Sequence, residues 1–385
     1  MHRTLLLALL ILVPTAAGWA GPLAEPASRE IAFVSNGEDG TVSLVDVAAR
    51  RVVGVLDINP EHARGDHTGA DNYAQDAEVS PDGRMLYVSR GYLDDVAAFD
   101  IATGRLLWKA PLHTGRADHM AVSSDGRVIF VSALTDNAVY RISTRDGAIT
   151  GHFATGVWAH DTKFSSDGRR VYNSSTGLIR ALGVPGGPPP TEQPAYPYQL
   201  TVADPVSLKV LDRIRLETPF RPWTFAPDGR RVYAELSRQR VVVAYDLDKR
   251  KVVRRLELPF PPGQPIADWL LDAPYHGLAL TPDGHTLCLA GRELSSVMLV
   301  RAPELSLIAS IKVGSAPGWA EIAEGGRVCL LPNGRSNDLS IISIPDRTEV
   351  VRVPVGRGPR HVQVANIPGT VMAAVEAKVK PSPPR

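Results

Sequence analysis

Two histidines and two aspartates occupy the same position of a sequence repeat. They are His361, Asp76, His119 and Asp161, and the ring order derived below makes them consecutive. Imidazole and carboxylate groups that converge at one height can bind a metal ion or share protons. The sequence therefore predicts these four residues as a candidate metal or ligand site. The alternative is a hydrated polar channel that binds nothing.

Further polar side chains flank this position. His160, Arg221, His276 and Arg360 come directly before it in other copies of the repeat, where the channel opens, and Glu321 lies two positions beyond it. We take these five residues as additional binding candidates.

A short turn motif reveals the repeat that positions these residues. Ser-Pro-Asp-Gly-Arg at 80–84 returns in related form at 123–127, 165–169, 226–230, 281–285 and 323–327. Successive copies are 43, 42, 61, 55 and 42 residues apart. Repeats of about 40–45 residues built from short strands indicate propeller blades, and an Asp-Gly pair between two apolar runs predicts a tight hairpin.

The repeat predicts an all-β fold, a seven-bladed β-propeller. The chain enters on a second strand near 31–35 and ends on a first strand at 361–364. Pairing of these two segments would close the ring and leave no open sheet edge. Along each inner strand, alternate residues should face the axis and the neighbouring blade. The polar register should therefore line a water-filled channel.

Three insertions lengthen the repeat and emerge on one face. They cover 57–75, 183–198 and 259–275. Long loops in compact folds are usually functional or disordered, so this face is the predicted binding face. His67, Trp269 and Tyr275 are the candidates there if the channel site is not used.

The N-terminal segment predicts export. Residues 1–20 combine a basic start, an apolar run too short to span a bilayer and small residues suited to cleavage. A retained membrane anchor is the alternative. We expect a signal peptide at 1–20, a propeller at 21–369 and a tail at 370–385. The mature chain should have no membrane span, be monomeric, and be periplasmic or secreted.

Composition excludes several function classes. Lys+Arg 42 against Asp+Glu 41 gives a net charge of +1, which makes nucleic-acid binding an unlikely function. No CxxCH motif is present, so we expect no covalent haem.

Cys288 and Cys329 occupy the same position of the second strand in neighbouring blades. Because packed sheets lie about 10 Å apart and a disulfide needs Cα atoms within about 7 Å, we predict two free thiols.

The chain resembles the YVTN-repeat propellers, which include the periplasmic YncE-like and the lactonase-type proteins. The resemblance rests on Val-Gly-Ser-Ala-Pro at 313–317, Val-Gly-Arg-Gly-Pro at 355–359, the Asp-Gly turns and the Tyr-Val-Ser strand at 87–89. It implies the fold and leaves three functions open. The first is a binding or assembly protein for a small molecule or a periplasmic partner. The second is a lactonase-like hydrolase or lyase, and the third is a redox accessory with a metal ion or a tetrapyrrole.

Overall fold

The computed structural model describes residues 26–64, 73–177, 198–260 and 273–378, and the predicted signal peptide lies outside these residues. The described residues form short β-strands almost throughout. In chain order the strands are β1 (Arg29–Asn36), β2 (Thr41–Asp46), β3 (Arg51–Asp57), β4 (Asp76–Val79), β5 (Met85–Ser89), β6 (Asp95–Asp100), β7 (Leu106–Pro111), β8 (Ala117–Val122), β9 (Val128–Ala133), β10 (Ala138–Ser143), β11 (Ile149–Ala154), β12 (Ala159–Phe164), β13 (Val171–Ser175), β14 (Gln199–Ala203), β15 (Val210–Arg215), β16 (Phe220–Phe225), β17 (Arg231–Leu236), β18 (Val241–Asp246), β19 (Lys251–Glu257), β20 (Leu278–Leu280), β21 (Thr286–Gly291), β22 (Ser296–Arg301), β23 (Ser306–Lys312), β24 (Glu321–Ala323), β25 (Val328–Asn333), β26 (Asp338–Ser343), β27 (Thr348–Pro354) and β28 (Pro359–Ile367).

The strands form seven four-stranded antiparallel sheets, which confirms the predicted seven-bladed β-propeller. Six blades take four consecutive strands each, from β4–β7 to β24–β27. The seventh combines β28 with β1, β2 and β3, and Val362 of β28 pairs with Val34 of β1. The last strand therefore closes the ring, as the sequence predicts, and joins the two ends of the described chain in one sheet.

Asp-Gly turns set the register of the first two strands in five of the seven blades. Ser80 Oγ donates a hydrogen bond to Asp82 Oδ1 at 2.6 Å and accepts one from Met85 N at 2.9 Å. Gly83 has a φ of 68°, a conformation that costs glycine little. Because side chains of the turn itself hold its conformation, the inner strand begins a fixed number of residues before it. The same hydroxyl-to-carboxylate bond recurs at Ser123–Asp125, Ser165–Asp167 and Thr281–Asp283.

A C-terminal helix, α1 (Gly369–Glu376), follows the closing strand where the sequence suggested only a tail. Val371, Met372 and Val375 are buried in the core of the closing blade. Gly54 of β3 permits this approach, because a Cβ there would lie 2.5 Å from Val375 Cγ1. Three short 3-10 helices complete the described structure, at Gly91–Leu93, Arg292–Leu294 and Glu324–Gly326. Within the described ranges, none of the helices has the length and apolar character needed to cross a membrane.

The two cysteines form a disulfide, so the prediction of free thiols is wrong. Cys288 of β21 and Cys329 of β25 are bonded, with their Cα atoms 6.6 Å apart. The expected 10 Å is an average over packed sheets, whereas blades radiate from a common axis and approach one another near it. Gly277 shows how close these two blades come, because a Cβ there would lie 2.5 Å from the backbone carbonyl carbon of Trp319.

Candidate functional site

The predicted candidates lie on the inner strands in three tiers along the channel axis. The middle tier contains Asp76, His119, Asp161 and His361, each at most 5% exposed, together with Trp319. The Trp319 ring lies 4.7 Å from the His119 ring and 4.4 Å from the His361 ring, between centroids. The expectation of a water-filled channel is therefore wrong at this height, because aromatic and imidazole rings occupy it.

Asp76 is the centre of the middle tier. Its Oδ1 lies 2.8 Å from His361 Nδ1, and its Oδ2 lies 3.5 Å from His119 Nδ1. The carboxylate also accepts hydrogen bonds from the backbone amides of Ala77 and Met120, at 2.7 and 2.9 Å. Burial favours the protonated acid, but the two imidazoles outweigh it and hold the pKa of Asp76 well below its usual range. The group is therefore a buried carboxylate with fixed orientation.

The pKa values of the two imidazoles around Asp76 are shifted in opposite directions. Burial lowers the pKa of His119, but Asp76 and Asp118 outweigh this effect and raise it above its usual value. Burial dominates at His361, and its pKa is lowered although Asp76 is adjacent. The far side of His119 faces Asp118, with 3.6 Å between Nε2 and Oδ1. Gln75 Nε2 donates to the same carboxylate oxygen at 2.9 Å.

Asp161, the fourth predicted metal ligand, is not part of this group. Its Oδ1 forms an ion pair with Lys163 Nζ at 3.2 Å. Lys163 is two residues further along β12 and faces the same side of the strand, so it pairs with Oδ1 locally, whereas Oδ2 is buried and makes no hydrogen bond within the described residues. The structure therefore brings together three of the four residues predicted to bind a metal ion, and Asp161 lies outside the group of donors within 4.8 Å of one another.

The upper tier lies at the channel mouth and contains His160, Arg221, His276 and Arg360. Burial is the largest effect on both histidines, and nearby positive charge adds to it, so the pKa of His160 and that of His276 lie well below the usual value. His276 Nδ1 lies 3.0 Å from the carbonyl oxygen of Gly318 and donates to it. His276 Nε2 and His160 Nδ1 are buried and make no hydrogen bond within the part of the chain that the structure describes.

Positive charge accumulates at this mouth. Burial lowers the pKa of Arg292 to about 10, and the charge of Arg360 contributes. Burial also lowers the pKa of Arg360, with a contribution from Arg116. Arg116 contacts Asp118, with 3.3 Å between Nε and Oδ2. The arginines therefore destabilise the charge of one another, an arrangement that favours an anion at this end of the channel.

Sequence reasoning missed three contributors to the site: Trp319, Gln75 and Arg292. Trp319 falls in the polar register, so its position in the repeat could have placed it on the axis. Gln75 directly precedes Asp76, at the same step of the repeat as His160 and Arg360. Arg292 follows a second strand, and the loops after second strands emerge on the predicted binding face. For all three residues, the position in the repeat is therefore the sequence signal that indicates their place in the channel.

The lower tier contains Glu78, Gln363, Lys163 and Glu321. Gln363 donates a hydrogen bond from its side chain to Glu78. Burial and the charge of Asp76 raise the pKa of Glu78 well above its usual value. Burial raises the pKa of Glu321 to about 7, although the charge of Lys163 opposes this shift. This tier therefore holds carboxyl groups whose burial favours the protonated form.

The substitution Glu321→Gln should remove one contribution to the pH dependence of the free energy of unfolding. The folded pKa of Glu321, about 7, lies above the reference value of 4.5. The unfolded chain therefore loses this proton first, and stability falls as the pH rises from about 4.5 to 7. The variant lacks this loss and keeps an acceptor for Ile322 N, now 3.1 Å from Glu321 Oε1. At pH 8 it should be more stable than wild type by on the order of 2–3 kcal/mol, and denaturant unfolding at pH 5 and pH 8 tests this. If the free energy of unfolding changed with pH in the same way in the variant and in wild type, the pKa of Glu321 would not be raised in the folded protein.

The long-loop candidates are described only in part. His67, Trp269 and most of the three insertions lie outside the described residues. Tyr275 is buried, and its hydroxyl donates a hydrogen bond to the carbonyl oxygen of Pro259. Burial raises the pKa of Tyr275 above its usual value. Because this contact joins the two ends of the third insertion, Tyr275 has a structural role in addition to any contact with a ligand.

Comparisons with known proteins identify the fold and leave the activity open. A family model described as outer membrane protein assembly factor BamB matches residues 38–180. No curated protein matches the chain. Among solved structures, hydrazine synthase from Kuenenia stuttgartiensis is similar, with a TM-score of 0.61 and 17% sequence identity over 86% of this chain and 99% of that one. At this identity the likeness concerns the fold alone. The chain is therefore a seven-bladed β-propeller that is similar to BamB over part of its length.

Proposed function

We propose that this protein is an exported binding propeller that holds a small anionic ligand at the mouth of its central channel. The observation that carries the proposal is the ring of buried and half-buried arginine and imidazole groups where the inner strands begin. Four of its members are His160, Arg221, His276 and Arg360. The predicted signal peptide, the resemblance to YVTN-type propellers and the BamB similarity support an accessory role in the periplasm.

The charges of the ring select for an anion. Arg360 lowers the pKa of Arg292, and Arg116 lowers that of Arg360, so their positive charges repel one another in a poorly hydrated place. A bound carboxylate would offset this repulsion and accept hydrogen bonds from the guanidinium groups. An arrangement that destabilises the unliganded protein is typical of binding sites.

The neutral imidazoles specify a second feature of the ligand. His276 donates from Nδ1 to Gly318, so its Nε2 carries a lone pair. That atom and His160 Nδ1 are buried without a hydrogen-bond partner in the described part of the protein. Acceptors of this kind bind hydroxyl groups, because a buried polar atom is stabilised by a hydrogen bond. We therefore expect a small carboxylate that also carries hydroxyl groups.

A pair of arginine variants tests this function. Gluconate should raise the melting temperature of the wild-type protein and bind in calorimetry, whereas glucose, which lacks the carboxylate, should not. Arg292→Gln should weaken gluconate binding at least about tenfold, the loss expected for one charged hydrogen bond. The same variant should melt no lower than wild type without ligand, because it removes a charge that burial disfavours.

The control is Arg127→Gln, which makes the same change in an Asp-Gly turn at the opposite face. The Arg127 side chain is 84% exposed and should affect neither binding nor stability. The proposal is wrong if gluconate and citrate both fail to bind, or if Arg292→Gln binds gluconate as tightly as wild type.

A further inference from the structure

We propose that Asp76, His119 and His361 form a binding site for one divalent transition-metal ion. The site lies one residue deeper in the channel than the arginine ring, and it does not depend on the anion-binding function. One donor atom from each of the three residues lies within 4.8 Å of the donor atoms of the other two. All three side chains are buried.

The distances suit a shared ion. Asp76 Oδ1 and His361 Nδ1 are 2.8 Å apart, and Asp76 Oδ2 and His119 Nδ1 are 3.5 Å apart. Metal bonds of about 2.0–2.2 Å in a tetrahedral arrangement place ligand atoms roughly 3.3–3.5 Å from one another. The separation between Asp76 and His119 therefore already matches that of two ligands of one ion, whereas Asp76 and His361 would have to move apart by roughly 0.5–0.7 Å.

The nitrogen atoms that face Asp76 contact its carboxylate without forming aligned hydrogen bonds. His119 Nδ1 and His361 Nδ1 are buried, and neither makes an aligned hydrogen bond in the described structure. Their contacts with Asp76 are close without having hydrogen-bond geometry. Buried polar atoms are nearly always hydrogen-bonded, and an exception calls for a specific explanation such as a bound ion. A metal ion between these atoms would satisfy both nitrogens at once.

The surrounding groups orient the three ligands. Asp118 Oδ1, which also accepts from Gln75 at 2.9 Å, lies 3.6 Å from His119 Nε2. Metal binding at Nδ1 requires the proton of His119 on Nε2, where Asp118 can accept it, although Gln75 Nε2 also lies 3.5 Å from this atom. Metal-binding histidines typically have such a partner behind them. The backbone amides of Ala77 and Met120 hold the Asp76 carboxylate in place.

Two other ligand sets fit less well. Asp161 is committed to Lys163 through an ion pair of 3.2 Å. A second group of close donors contains Asp118, His119 and His160. Its carboxylate is already compensated by Arg116, at 3.3 Å between Nε and Oδ2, and by Gln75. The ion-pair contacts of Asp76 with other described residues are those with the two imidazoles, so it is the carboxylate that can best stabilise a metal ion.

The donor set indicates the class of metal. Two imidazoles and one carboxylate suit Zn²⁺ and its first-row neighbours, whereas Mg²⁺ and Ca²⁺ prefer oxygen ligands throughout. Three protein ligands leave at least one coordination position for water or another molecule. We therefore expect Zn²⁺ to bind tightly and Co²⁺ to serve as its spectroscopic substitute.

The experiment is a Co²⁺ titration of the full-length protein, without an affinity tag and without gluconate. We expect one equivalent of Co²⁺ to bind, with visible absorption typical of nitrogen and oxygen ligands, and Zn²⁺ to displace it. His119→Ala and His361→Ala should each weaken Zn²⁺ binding more than about 100-fold, because losing a ligand exceeds the 10–100-fold loss from an outer partner. Asp161→Asn is the control, and it should bind Zn²⁺ as wild type does.

The outcomes separate this inference from the anion proposal. Absence of stoichiometric Co²⁺ and Zn²⁺ binding to the wild-type protein overturns the metal site, whatever gluconate does. Loss of binding in Asp161→Asn but not in His361→Ala would also overturn the ligand set. If a histidine variant fails to fold, as judged by circular dichroism, Asp76→Asn replaces it and should show the same loss. Gluconate binding to protein dialysed against chelator is measured independently.

Discussion

Replacing Arg90 with alanine should destabilise the protein by about 3–5 kcal/mol, the range for removing one partner of a buried ion pair. Arg90 is 1% exposed and donates to both carboxylate oxygens of Asp95, at 2.7 and 2.6 Å. It also donates to the carbonyl oxygen of Ile58 at 3.0 Å and to Glu61 at 2.8 Å. One guanidinium thus joins two blades and the beginning of the first insertion, and alanine would leave Asp95 buried without its cation.

The effect of Arg90→Ala should depend on pH. Burial already raises the pKa of Asp95 although Arg90 opposes it. Without the arginine, the folded pKa of Asp95 lies further above its unfolded value. The stability that the variant loses relative to wild type should therefore be smallest at low pH, where Asp95 is protonated in both states, and increase as the pH rises. Urea unfolding at pH 5 and pH 8 measures both the loss and its change with pH.

Lys109→Ala is the matched control for the Arg90 network. Lys109 contacts the same Glu61 carboxylate at 3.0 Å, but its side chain is 41% exposed. An exposed ion pair contributes only about 0–1 kcal/mol, so this variant should remain close to wild type. Equal losses in Arg90→Ala and Lys109→Ala would mean that burial of the arginine is not what makes the network stabilising.

Removing the disulfide should destabilise the protein by about 3–4 kcal/mol, the entropy of closing a loop of this length in the unfolded chain. Cys288 and Cys329 are separated by 41 residues and hold two neighbouring blades together. Both residues are fully buried among apolar side chains, so alanine is the appropriate replacement in the double variant. Urea unfolding of Cys288→Ala/Cys329→Ala against oxidised wild type measures the difference.

Chemical labelling checks the disulfide directly. Alkylation of the denatured protein without reductant should leave both cysteines unmodified, and prior reduction should add two labels. Each single alanine variant should lose about as much stability as the double variant, because either one removes the cross-link. Two labels without reductant would show that the thiols are free, and the expected loss would then not occur.

The fold and the height of each inner residue follow from the repeat in the sequence. The turn at Ser80–Gly83 recurs, and four of its copies are held by their own hydroxyl and carboxylate, so counting back from a turn gives the register of the inner strand before it. That count places Asp76 and His119 in one tier, and the alternation of polar and apolar residues at 361–364 adds His361, which no such turn follows. It also predicts closure of the ring by pairing of β28 with β1, which the structure confirms.

Which of these residues meet, and which partners they have, follows from the packing of the blades. Lys163 forms an ion pair with Asp161 within its own strand, and the ring of Trp319 fills the axis that the polar register suggested would contain water. The disulfide depends on the close approach of two blades at Gly277, for which an average sheet spacing is a poor guide. Strand periodicity is a local property of the chain, so it can be read from the sequence. Distances across the axis cannot be read in this way, because they depend on contacts between blades that lie far apart in sequence.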